Sequence, residues 1–188
     1  MAIHQFKLNL IPEKGVLDIL GMIPPKLDIN FEERIEHYHL KKDNLLESSD
    51  FFEDALSIDW WDSIHVSPTE IIYYISKLFP THVIKNSNSY YWKYYIVNSI
   101  DHDASLVLDK QSEKIEELYF RADLRESGLV FLNQFIEIAK KYNCLLLDVK
   151  GNLIRPERNE VYKLITLSDN YRFLVNPEDF LNNLRNQQ

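Results

Sequence analysis

The chain has one cysteine and four glycines in 188 residues, and no stretch approaching the roughly 18 consecutive apolar residues that a membrane span needs. A lone cysteine excludes an internal disulfide. Cys144 lies in the apolar run Cys144-Leu145-Leu146-Leu147, where a buried structural thiol is expected rather than a nucleophile. Few glycines leave no room for a Gly-rich linker, and neither a Gly-rich phosphate loop nor a Gly-x-Ser-x-Gly elbow occurs. The opening residues Met1-Ala2-Ile3-His4-Gln5-Phe6-Lys7 lack a charged segment followed by a continuous apolar one, so a cytoplasmic protein is expected. Positive charge is also scarce: 21 Lys and Arg against 29 Asp and Glu give a net charge of −8. That balance opposes nucleic-acid binding, which rests on cations displacing phosphate counterions, and favours basic partners.

What is present is core-forming material. With 45% hydrophobic and 13% aromatic residues, the chain reads as one folded domain over residues 1–188, without repeat or linker. Residues 3–10 alternate His4, Phe6, Leu8 and Leu10 against Gln5, Lys7 and Asn9, the period of a strand, which Pro12 ends. An apolar stretch from Val16 to Ile23 stops at Pro24-Pro25. Residues 26–66 show no regular pattern. Ser67-Pro68-Thr69-Glu70 has the form of a capping box with proline at the first helical position. Ile71, Ile72, Ile75, Leu78 and Phe79 follow at helical spacing up to Pro80.

Further on, Tyr90 to Val97 is aromatic and β-branched enough for a strand. Ile100-Asp101-His102-Asp103 reads as a turn, residues 104–109 as the next strand, Lys110 to Lys114 as a turn, and Glu116 to Arg125 as a strand. An apolar stripe from Gly128 to Tyr142 predicts a helix wide enough to cross a sheet, and Cys144 to Val149 another strand. Leu153-Ile154-Arg155, a helix over Glu157 to Leu167, a short strand over Tyr171 to Val175, and a helix capped by Asn176 complete the reading. The fold class expected is α+β, a mostly antiparallel sheet with helices packed on one face.

Two regions stand out as candidate binding surfaces. From Asp43 to Ser76 there is no Lys or Arg but there are eight acids, as many as the net charge of the chain. Asp50, Glu53, Asp54, Asp59 and Asp62 surround the pairs Phe51-Phe52 and Trp60-Trp61. Aromatic anchors set in charge suit a basic partner; the alternative is an acidic loop whose aromatics cover the core. In the second region, Leu118, Phe120, Ala122 and Leu124 alternate with Glu117, Tyr119, Arg121, Asp123 and Arg125. The polar set is either a recognition face, with Tyr119, Arg121 and Asp123 at its centre, or a solvated face held by charge pairs.

Metal and catalytic signals are thin. His37-Tyr38-His39, Asp101-His102-Asp103 and the isolated His4, His65 and His82 lack a second ligand pair at a recognisable spacing. No catalytic residue, metal or cofactor is assigned.

The strand leading to Ile23-Pro24-Pro25, the Trp60-Trp61 pair, Arg121-Ala122-Asp123-Leu124-Arg125 before a helix, and the closing run Leu167 to Leu181 together resemble the small immunity proteins encoded beside bacterial polymorphic and contact-dependent toxins. The resemblance implies neutralisation of a cognate protein toxin by direct binding in the cytosol. Many such toxins are basic nucleases, which an acidic aromatic surface would suit. It transfers no catalytic residues, and it implies neither nucleic acid nor membrane as partner. The rival readings are a small enzyme or metal-binding protein using His37, His39 or the Asp101–Asp103 segment, and a homodimer or larger homo-oligomer pairing through the Tyr90 to Val97 strand.

Overall fold

The computed structural model describes residues 4–30, 32–34, 36, 39, 54–62, 64–79, 83–95 and 100–180. Strand β1 (Gln5–Pro12) runs directly into helix α1 (Glu13–Leu20), which Gly21 closes in the left-handed conformation while donating its N–H to the Leu17 carbonyl at 2.9 Å. Helix α2 (Pro68–Leu78) is followed by β2 (Val83–Lys85), β3 (Ser89–Tyr95), β4 (Asp101–Leu108) and β5 (Ile115–Asp123). A short 3-10 turn (Ser127–Leu129) leads into α3 (Val130–Lys141), then β6 (Cys144–Asp148), β7 (Leu153–Ile154), α4 (Arg158–Thr166), α5 (Asp169–Val175) and a helical turn at 177–180.

The strands form one antiparallel sheet in the order β2-β3-β4-β5-β1-β6-β7. β3, β4 and β5 are the expected meander, β2 is an added edge strand that the sequence reading does not contain, and β1 lies between β5 and β6. The first strand is therefore interior to the sheet and buried along nearly its whole length, Gln5 and Asn9 included. On one face, Trp92, Ala104, Leu106, Leu118, Phe120, Ala122, Phe6 and Leu8 form the floor of the core. Helix α3 packs there through Phe131 and Phe135. The Phe135 ring stacks on Phe120 at 4.4 Å, an arrangement worth about 0.5–1.5 kcal/mol beyond simple burial. Helix α2 covers the same face: Phe79 meets Phe131 edge-on at 5.2 Å, and the Trp92 indole donates to the Ser76 hydroxyl at 3.0 Å.

The structure revises three readings. Asp101, His102 and Asp103 are the first residues of β4, not a turn; β4 pairs with β3 from Tyr95↔Asp101 to Ser89↔Val107. Residues Tyr171 to Val175 belong to α5 and not to a strand. Ser168 caps that helix by accepting the Tyr171 N–H at 3.2 Å, and β7 is the last strand among the described residues. Ser67 precedes α2 as expected, but its hydroxyl caps nothing, and Glu70 reaches Lys141 of α3 at 2.8 Å instead of closing a capping box. Asn176 does cap the last helical turn, accepting the Asp179 N–H at 3.3 Å.

Candidate functional site

The second face of the sheet carries the chemistry. Because cross-strand partners share a face, the register stacks its side chains in rows across β3, β4, β5 and β1. Lys93, Asp103, Arg121 and Lys7 form one row; Tyr91, Ser105, Tyr119 and Asn9 form the row beside it; Asp101, Asp123 and Gln5 form the row on the other side. Towards β6 and β7 this face turns apolar and buried, with Ile11, Leu145, Leu147 and Leu153. The polar area is thus confined to four strands.

Asp103 organises the central row. Its side chain has no solvent exposure, and it accepts from Arg121 Nε at 2.7 Å, the Tyr91 hydroxyl at 3.3 Å and Gln5 Nε2 at 3.4 Å, with Lys93 Nζ at 3.6 Å. Lys93 also pairs with Asp101. Burial alone would lower the pKa of Arg121 and of Lys93; their carboxylate partners outweigh it and raise both above their ordinary values. Lys7 lies 3.9 Å over the Tyr119 ring and 3.7 Å from Glu117, and its pKa is lowered, burial being the main cause. Burial likewise pushes the Tyr91 and Tyr119 phenols up, so both stay protonated donors at neutral pH.

Asp123, also without exposure, ends the row beyond. It accepts the Asp101 N–H at 2.9 Å, the Arg125 N–H at 3.0 Å and Arg125 Nε at 2.9 Å. Burial would raise its pKa, but these donors hold the carboxyl below its ordinary value. Directly behind it, on the core face, His102 Nδ1 accepts the Asp123 N–H at 2.9 Å.

Sequence reasoning placed Tyr119, Arg121 and Asp123 together on one face, and the structure does the same. It missed Gln5, Lys7, Tyr91, Lys93, Asp101 and Asp103. The signal was available: Asp101, Asp103, Ser105 and Val107 alternate with His102, Ala104, Leu106 and Leu108, a full strand pattern once the aspartates are not assumed to mark a turn. The same alternation separates the Asp101-His102-Asp103 triplet as a metal candidate, since the histidine points to the core and both carboxylates to the other face. Among the described residues no group of three His, Cys, Asp or Glu side chains converges as a metal ion would need.

The acidic window looks different in three dimensions. Trp60 and Trp61 are core residues, 4% and 3% exposed, and the Trp60 indole donates to the Ala55 carbonyl at 2.7 Å. They are not surface anchors. Asp54 is held by a two-pronged pair with Arg34, Asp62 pairs with Lys114, and Glu70 pairs with Lys141. Cations from outside the window thus answer three of its acids, and Asp59 remains exposed. Asp50, Phe51, Phe52 and Glu53 lie outside the described residues, as do Asp43, Glu47, His37 and His82.

A cavity of about 770 Å³ opens between the start of α2 and the β4–β5 loop, lined by Trp61, Tyr90, Lys85, Lys110 and Lys114 among others. Asp109 and Glu113 line it as well, so it has no strong charge of one sign. No protein-family model matches the chain, and neither the curated proteins nor the solved structures contain a significant match.

Proposed function

We propose that this chain is a protein-binding inhibitor of the immunity type, acting in the cytosol, and that it meets its toxin with the polar face of the sheet over β3, β4, β5 and β1. The observation that carries this reading is the row Lys93-Asp103-Arg121-Lys7. Each of its three cations is held by an ion pair: Lys93 and Arg121 through the buried Asp103, and Lys7 through Glu117. Such groups need little further ordering on binding, which lowers the entropic cost of association. Tyr91 and Tyr119 flank the row with partly exposed aromatic surface, the residue type that supplies contact area at low conformational cost.

The sequence pattern favours the acidic window as the contact surface. Burial of Trp60 and Trp61 removes its described aromatic anchors, so the sheet face is the better-built surface. The role in toxin neutralisation rests on the resemblance noted from sequence.

The test is co-expression with the toxin encoded beside this gene. A complex at micromolar concentration, together with protection of the host cell, is the expected outcome, and Arg121→Gln combined with Asp103→Asn, which leaves no buried carboxylate unpaired, should weaken both. Absence of a complex with toxicity unchanged would sink the proposal.

A further inference from the structure

Net charge and local charge point in opposite directions on this protein. Over the polar face the four cations Lys7, Lys93, Arg121 and Arg125 are all partly exposed. Of the four carboxylates that hold them, Asp103 and Asp123 have no exposure, leaving Asp101 and Glu117 to meet solvent. The carboxylates form the floor and the cations form the roof.

Within that roof the two arginines differ. Arg125 spends Nε and Nη2 on Asp123. Arg121 spends only Nε, on Asp103, and among the described residues neither of its Nη groups donates to the protein. Its end-on edge, a pair of parallel donors matched to a carboxylate, is open and already oriented. We infer that Arg121 is the anchor for a carboxylate of the partner, an aspartate or glutamate side chain on an acidic protein surface, with Lys93 and Lys7 reinforcing it from either side. This rests on the reading of the face as a protein-binding surface. A nucleic acid fits poorly, because a phosphate backbone laid along the row would also cross the exposed carboxylates Asp101 and Glu117.

The experiment uses the intact protein and a blocked triglutamate peptide as probe, followed by heteronuclear NMR of the arginine Nε–H groups, with trilysine and a thymidine oligonucleotide as controls. Saturable movement of Arg121 with triglutamate, little movement of Arg125, and none with trilysine are expected. Removing Arg121 alone would strand the buried Asp103, so the matched variant is Asp103→Asn with Arg121→Gln; it should keep the native circular dichroism, and its backbone amides at Tyr119 and Asp123 should lose the saturable shift with triglutamate that they show in the wild type. With the toxin, that variant should bind roughly tenfold or more weakly, as loss of an anchoring arginine does. The inference is overturned if Arg121 ignores triglutamate, responds equally to trilysine, or prefers the oligonucleotide. If triglutamate binds but no toxin complex forms, the immunity reading falls and the anchor stands. If the complex forms and the double variant binds within about twofold of wild type, the anchor falls and the immunity reading stands.

Discussion

His102 shows how much one side chain can depend on its surroundings. Its ring is stacked between Phe131, at 4.1 Å, and Tyr94, at 5.9 Å. With Nδ1 accepting the Asp123 N–H, the neutral ring carries its proton on Nε2, 3.5 Å from Glu126. Burial lowers its pKa from 6.5 to about 4, against the opposing pull of Asp123 and Asp101. The unfolded chain therefore takes up a proton first as pH falls, and stability declines between about pH 6.5 and about pH 4, by on the order of 3 kcal/mol in all. Asp123, held below its ordinary pKa, adds a loss at lower pH, whereas Glu126, raised by burial, works in the opposite sense. Urea unfolding across this range should show the slope in wild type. His102→Asn, which retains an acceptor for the Asp123 N–H, should be less stable at neutral pH and should flatten the slope; an unchanged slope would assign it to other groups. Cys144 is a simpler case. Its thiol is 1% exposed and burial pushes its pKa up to about 12, so a thiol reagent should label it only after unfolding. Rapid labelling of the native protein would contradict this burial.

At the scale of elements, periodicity was a good guide where one face of a segment is buried and the other is not. β5 and α3 are such segments, and their apolar sets are the buried ones. The reading failed where two patterns fit equally well. Tyr171 to Val175 is short and aromatic enough for a strand, yet no sheet edge receives it, and the Ser168 cap together with the Asn170 side chain, which donates to the Gln5 carbonyl at 3.1 Å, holds it as a helix. Ser67 and Glu70 had the residues of a capping box, but Lys141 on the neighbouring helix competes for Glu70. No sequence pattern marks Gly15 as special. In the fold, α1 passes so close to the 54–62 segment that a β-carbon on Gly15 would lie 2.0 Å from the Trp60 carbonyl oxygen. Gly15→Ala should therefore destabilise the protein by about 1–3 kcal/mol despite alanine's better helix propensity, measurable as a lowered midpoint of thermal unfolding. A neutral or stabilising result would mean that the two segments separate freely.

For the molecule as a whole, the lesson concerns charge. The described acids of the 43–76 window do not form one field, because tertiary contacts bring Arg34, Lys114 and Lys141 to Asp54, Asp62 and Glu70. Asp54 also accepts the Leu56 N–H at 2.7 Å. Asp54→Ala should cost about 1–3 kcal/mol of stability, whereas Asp59→Lys should change it by less than about 0.5 kcal/mol. Chemical denaturation of the two variants side by side checks this; equal losses would mean that the Arg34 pair contributes nothing.

The sequence by itself determined the α+β class, the meander from β3 to β5, the α2 and α3 faces that pack on the sheet, and the partition of β5 into an apolar and a polar side. All of these follow from local periodicity and from residues that start or stop an element. Only the tertiary structure decided that the first strand sits inside the sheet between β5 and β6, that Trp60 and Trp61 face inward, and that Lys7, Lys93, Asp103 and Arg121 from four strands form one row. Strand order and register are set by which buried faces fit together over long separations in sequence, and that fit also decides whether a charged side chain ends as the floor of a surface or as the part a partner touches.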